Sequence, residues 1–180
     1  MGALVVIGIG NSLRCDDAAG LEVARALRAR AAERGIAVRE HEGETLALLD
    51  AWHGARAVVL ADAVHSGAAP GTVHRIDASC EALPDRFRSS SSTHAVGLAD
   101  AIELARALGR LPSRVVVFGV EGRRFAAGSR VSREVRAAIE PLAERVLEEM
   151  RELAGADVAG LHGCTDTAGL LESGIEVDGK

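Results

Sequence analysis

Aromatic side chains are nearly absent: one Trp, three Phe and no Tyr in 180 residues. A surface that stacks nucleic-acid bases on aromatic rings is thereby excluded. The interior has to be built from Val, Leu, Ile and Ala. A basic stripe is missing too. The chain carries a net charge of −5, so tracking a phosphate backbone is not expected, and no nucleic-acid partner is. Cysteine is scarce: Cys15, Cys80 and Cys164 are odd in number, widely spaced and never paired as C-x-x-C. That speaks against a disulfide framework or a thiolate zinc site and suits a reducing cytosol. No apolar run approaches the ~20 residues of a membrane span. The N-terminus has no basic stretch followed by a cleavable apolar core. These absences describe a cytoplasmic protein without a membrane partner, expected as a monomer. Hydrophobic residues at 48% and charged residues at 26% make it globular.

Three catalytic signatures are also lacking. No G-x-x-x-x-G-K-[ST] phosphate loop occurs, and no G-x-S-x-G nucleophile elbow. The dinucleotide fingerprint fails at its third glycine, where Leu13 stands. No nucleotide cofactor is expected.

What is present begins with Gly8-Ile9-Gly10-Asn11-Ser12-Leu13-Arg14-Cys15-Asp16-Asp17. It follows Ala3-Leu4-Val5-Val6-Ile7, which reads as a buried strand. Two glycines let the backbone turn at the strand end, and the turn delivers two adjacent carboxylates to a helix start. Loops at the carboxyl ends of strands are where open α/β sheets bind ligands. A phosphate would be repelled by Asp16 and Asp17, so the guest is a cation or a proton-transfer partner.

Further along, Leu21, Ala24, Leu27 and Ala31 recur at helical spacing until Gly35. Strands follow at residues 36–40 and 57–61, the latter capped by Asp62, with a short helix at 46–52 between them. Residues 72–77 alternate as an edge or antiparallel strand. A helix is expected from near His94 to Leu108, a last central strand at 115–120, and a long helix at 131–153 containing Pro141. The alternation predicts a three-layer α/β/α sandwich around a mostly parallel mixed sheet of about five strands. Residues 1–154 form the single domain. From Gly155 periodicity is lost, and residues 155–180 read as a mobile C-terminal tail.

Asp17, Asp62 and His94 fall at or near the same expected sheet edge and could converge on one crevice. Two carboxylates and an imidazole suit a borderline divalent ion such as Ni²⁺ or Zn²⁺, with positions left for a substrate. Each residue has an ordinary role as well. Asp62 could form a turn, Asp16 and Asp17 could serve a helix dipole, and His94 could be exposed at a helix start. Cys15 lies beside two carboxylates that blunt it as a nucleophile. His41, His53, His65 and His74 show no partner pattern.

Taken in order, five segments resemble the hydrogenase maturation endopeptidases, which trim the C-terminus of [NiFe]-hydrogenase large subunits. They are Gly8 to Gly20, Gly43-Glu44-Thr45, Leu60-Ala61-Asp62-Ala63, His94-Ala95-Val96-Gly97-Leu98 and Phe118-Gly119-Val120-Glu121-Gly122. The resemblance spans residues 3–150. It implies a nickel-recognition site at Asp17, Asp62 and His94, which act both as ligands and in catalysis. Asp16 and Glu44 are accessory acids, Glu44 standing where relatives often have Gly. It also implies that nickel arrives bound to the large-subunit precursor. The alternatives are a nickel-sensing maturation chaperone that does not cut and a peptidyl-tRNA hydrolase-like enzyme, which shares the strand-then-G-x-G-N opening.

Overall fold

The computed structural model describes residues 2–84, 97–128 and 130–155. Five strands alternate with four helices: β1 (Ala3–Ile9), α1 (Ala19–Ala32), β2 (Ala37–His41), α2 (Thr45–Ala51), β3 (Ala55–Val64), β4 (Val73–Asp77), α3 (Leu98–Ala107), β5 (Arg114–Glu121) and α4 (Arg133–Gly155). A single 3-10 turn, Cys15–Ala18, leads into α1. The strand order is β2-β1-β3-β5-β4. All neighbours are parallel except β4, which runs antiparallel along β5. This is the three-layer mixed sandwich expected from the sequence.

The layers follow from strand periodicity. Val6, Val59, Val116 and Phe118 face one side, where Val23 and Leu27 of α1 and Leu142 and Val146 of α4 cover them. Val5, Ile7, Leu60 and Val117 face the other, against Leu48 and Leu49 of α2 and Ile102 of α3. β1, β3 and β5 are apolar on both faces because both are covered. On α4, Arg75 clamps Glu149 with two bonds of 2.6 and 2.7 Å, tying the helix to the edge strand β4.

Three expectations shift. β3 is longer than its apolar run, so Asp62 lies inside the strand and does not cap it. The ladder to β5 continues past Asp62 to Val64↔Glu121, and those pairings hold a polar residue in extended backbone. The helix expected from near His94 begins at Leu98, where the Asp100 carboxylate accepts the Gly97 N–H at 3.2 Å and caps it. Cys80 is disulfide-bonded, whereas Cys15 is a free, buried thiol. Wide spacing along the chain does not bar pairing in space. His94 and residues 156–180 lie outside the described residues.

Candidate active site

The strand order places the topological switch point of the sheet between β1 and β3. From β1 the chain leaves through α1 toward β2, while β3 leads toward β4 at the opposite edge. Such a divergence opens a gap at the carboxyl ends of the two strands. Pairing of β1 with β3 stops at Gly8↔Ala61, one residue before Asp62. Asp17 follows β1, so the two carboxylates flank the same opening.

Glycines make the approach possible. Gly10 sits at φ +149°, and a Cβ there would lie 1.8 Å from the Asp17 carbonyl oxygen. A Cβ on Gly20 would lie 2.1 Å from the Ala61 carbonyl oxygen and 2.3 Å from that of Ile9. Any larger residue would push the start of α1, and Asp17 with it, away from β1 and β3. The loop is closed by Asn11, whose N–H donates to the Asp17 carbonyl at 3.3 Å and whose side chain accepts the Leu13 N–H at 2.9 Å.

The charge of Asp17 acts on Asp62. Burial, and after it the charge of Asp17, push the Asp62 pKa from an ordinary 3.8 up to about 8, with the Ala63 N–H pulling the other way at 2.8 Å. Asp17 is raised as well, by burial, against the opposing charge of Arg14 and the hydrogen bond to Asn11. Asp62 makes no ion pair among the described residues. Two close carboxylates with one left uncompensated make a site that attracts a cation or holds a proton. Among the described residues no three His, Cys, Asp or Glu side chains gather in metal-holding geometry. The structure brings Asp17 and Asp62 together, and the third residue of the expected set, His94, lies outside the description.

The two accessory acids differ from this pair. Asp16 is fully buried and turned into the protein. Burial would raise its pKa, but N–H donors from Ser132 (2.6 Å), Arg123 (2.8 Å) and Arg124 (2.9 Å) outweigh that and hold it below the ordinary value. Asp16 therefore fixes the segment after β5 against the loop that carries Asp17. Glu44 is exposed on the loop between β2 and α2. Its charge, with that of Glu42, acts on His41, whose pKa burial nonetheless lowers. Cys15 adopts φ +48° with its thiol beneath Gly128, a buried structural position.

At this edge lies a second polar cluster, of which the sequence offered only Glu121, as part of a family segment. Glu121, 1% exposed, ends β5. It accepts the Ser66 N–H at 2.9 Å, the Gly67 N–H at 2.9 Å and the Ser66 hydroxyl at 2.8 Å. His74 lies 3.6 Å from it, and His65 4.0 Å on the exposed side. Burial favours the neutral acid, but these donors and His74 keep the pKa below the usual carboxylate range. Only the pairing of β3, β4 and β5 unites residues so far apart in the chain.

The sequence model of the hydrogenase maturation protease family matches residues 21–149. The chain belongs to this family. It is 30% identical over 151 residues to the hydrogenase 2 maturation protease of Escherichia coli, an alignment that covers 83% of this chain and 91% of that one. Its fold superposes on the hydrogenase maturating endopeptidase HybD from E. coli with a TM-score of 0.70 at 28% identity, covering 84% and 93% of the two chains. The [NiFe]-hydrogenase maturation protease HycI from Thermococcus kodakarensis gives 0.63 at 25% identity, covering 83% and 93%. The chain is thus a protease of hydrogenase maturation, and both the non-cutting chaperone and the peptidyl-tRNA hydrolase-like reading fall away. Among the described residues, no helix is long and apolar enough to cross a membrane.

Proposed function

We propose that the chain removes the C-terminal extension of a [NiFe]-hydrogenase large-subunit precursor only when that precursor carries nickel. Asp17 and Asp62 meet the metal, and His94 supplies the nitrogen donor. The observation that carries this reading is the pair of carboxylates at the β1/β3 opening, with Asp62 lacking any counter-charge among the described residues.

This pair supplies a physical gate. Without a cation, Asp62 keeps its proton near neutral pH, because a second charge beside Asp17 in a partly buried site is unfavourable. A divalent ion brought by the substrate offsets that repulsion, Asp62 ionises, and the two carboxylates become oxygen ligands. The protein alone holds such an ion weakly, since two or three donors leave the coordination shell open. A metal held this way polarises a carbonyl or lowers the pKa of bound water. The residues' part is to seat the loaded precursor so that its scissile bond meets a water at the opening. The water oxygen bonds to the carbonyl carbon, the C–N bond breaks to leave a carboxyl group, and the released amine takes a proton from that water.

The test is incubation of purified protein with nickel-loaded and nickel-free precursor. Cleavage is expected for the loaded form alone. Efficient cleavage of the nickel-free form, or full activity of the His94→Ala variant, would show the gate to be wrong.

A further inference from the structure

A run of exposed positive charge lies on the segment that is tied to the Asp17 loop. Between positions 123 and 136 the sequence holds five arginines and one acid, Glu134. Among the described residues most other arginines are engaged within the fold. Arg25 and Arg28 pair with Glu40, Arg30 with Glu140 and Glu144, Arg75 with Glu149, and Arg114 with Asp77. Arg123 reaches Glu134 at 3.6 Å on the surface. Arg124, Arg130, Arg133 and Arg136 are exposed, and their side chains make no ion pair or hydrogen bond among the described residues.

Two further observations bear on these charges. Arg133 and Arg136 occupy the first turn of α4, where the helix dipole is positive and acids are the favoured residues. Such local conflict is characteristic of functional surface. The backbone beneath them is also fixed to the site loop. Asp16 binds the N–H groups of Arg123, Arg124 and Ser132. Cys15 donates to the Gly128 carbonyl at 2.7 Å, and Gly128 donates to that of Leu13 at 2.8 Å. The Arg14 guanidinium donates twice to the Phe125 carbonyl, at 3.1 and 3.0 Å. The arginines thus stand on a frame built together with the loop that presents Asp17.

We propose that Arg124, Arg130, Arg133 and Arg136 form a docking rim for an acidic segment of the large-subunit precursor that flanks its metal-bearing part. The proposal rests on the protease reading above and names how its substrate is oriented. The centre of the site is acidic and takes a cation; the rim is basic and takes carboxylates, which guanidinium forks bind with two parallel bonds. A precursor presented in the wrong orientation meets like charge at both places, and that repulsion sharpens selection. A nucleic acid fits less well. Its continuous negative charge would run onto Asp17 and Asp62, and the chain has few aromatic rings to stack its bases.

The experiment uses the full chain and purified nickel-loaded precursor. Steady-state cleavage is measured from low to high salt for the wild type, for R124Q/R130Q/R133Q/R136Q and for the matching fourfold Arg→Lys variant. The Gln variant is expected to melt no lower than the wild type, because the four side chains hold nothing in place and two of them oppose the helix dipole. Its KM should rise about tenfold at low salt, with kcat within about twofold. The wild-type KM should climb with salt while that of the Gln variant stays flat, and the Lys variant should recover most of the loss. An unchanged KM, or a loss confined to kcat, overturns the rim. Equal affinity of the rim for a labelled single-stranded oligonucleotide and for the precursor overturns the assigned partner. Precursor binding, followed by fluorescence anisotropy, separates the two levels of inference. Binding that depends on the arginines without any cleavage would uphold the rim and defeat the protease reading. Cleavage that ignores the four substitutions would do the reverse.

Discussion

Two pairs of carboxylates lie at the same edge of one sheet and behave oppositely. Asp16 and Glu121 are the more deeply buried, yet their pKa values are held down. Asp17 and Asp62 keep more contact with solvent, yet theirs are pushed up. Burial is unfavourable to ionisation in all four. Burial prevails at Asp62 and Asp17, whereas donors offset it at the other two: three N–H groups converge on Asp16, and two N–H groups and a hydroxyl on Glu121. Asp62 has one short contact, to the N–H of its own neighbour, and a like charge across the opening. A satisfied carboxylate holds structure together, whereas an unsatisfied one is available for chemistry.

The largest effect expected from this contrast is at Asp62. Asp62→Asn keeps the shape of the side chain and removes its charge. Processing of loaded precursor should fall by at least about 10³-fold, since the proposed ligand and the ionisable partner of Asp17 are lost together. The same variant should be more stable than the wild type at neutral pH, by about 0.5–2 kcal/mol, as is common where a strained functional group is relieved. Cleavage assays and thermal melts of the metal-free proteins check both halves. A variant that is inactive and also less stable would mean that Asp62 holds the fold together.

Asp16→Ala tests the opposite member. Three buried N–H groups would lose their acceptor, and each unsatisfied buried donor is unfavourable by about 1–3 kcal/mol before relaxation. A total loss of about 3–5 kcal/mol is expected, or a Tm fall of roughly 10 °C for a domain of this size. The segment that carries the arginine rim would loosen, so KM for the precursor should rise as well.

The pH dependence of stability separates the pairs by sign. Asp62 has a folded pKa above its unfolded value of 3.8. Between roughly pH 4 and pH 8 the folded chain therefore binds more protons than the unfolded one, and this group's contribution to stability falls as pH rises. The advantage of Asp62→Asn should be near zero at pH 4, grow toward pH 8 and level off above it. Asp16 has a lowered pKa, so its contribution is present above about pH 4 and is lost as pH falls further. Melting curves from pH 3 to pH 9 for both variants would show slopes of opposite sign.

The architecture was legible because apolar runs and helical periods mark where chain is covered on one face or both. Val115 to Val120 reads as a central strand, and it is one. The end of β3 was not legible. Asp62 looks like a stop, but ladder pairing to Gly119 carries the strand through it. Asp16 and Asp17 are the clearest case of what sequence withholds. They are adjacent and chemically identical, and their roles are set by Ser132, Arg123 and Arg124, more than a hundred positions away. The Glu121 cluster shows the same limit, since Ser66 and Glu121 meet only once β3 and β5 are paired. Family-motif residues such as Glu121 can be noticed in a sequence, but the donors that explain them come from the fold.

The smallest effect, and the finest test of the contrast, is Glu121→Gln. Gln keeps one oxygen acceptor and replaces the other with an amide that can only donate. Oε1 accepts from the N–H groups of Ser66 and Gly67, and Oε2 from the Ser66 N–H at 3.0 Å and from its hydroxyl. The substituted amide would orient its oxygen toward the two backbone donors and leave the hydroxyl to rotate. The loss should be about 1–2 kcal/mol, or a Tm lower by about 3–6 °C, with precursor cleavage little changed. Glu121 is depressed below its unfolded value of 4.5, so its contribution is present above that pH and disappears as pH falls through the folded value. The deficit of Glu121→Gln should thus be full at pH 7 and shrink as pH falls below the ordinary 4.5. A deficit that persists unchanged in acid would mean that shape, and not the carboxylate charge, holds the β3–β4 loop. Glu121 would then no longer belong beside Asp16 as a charge whose work is structural.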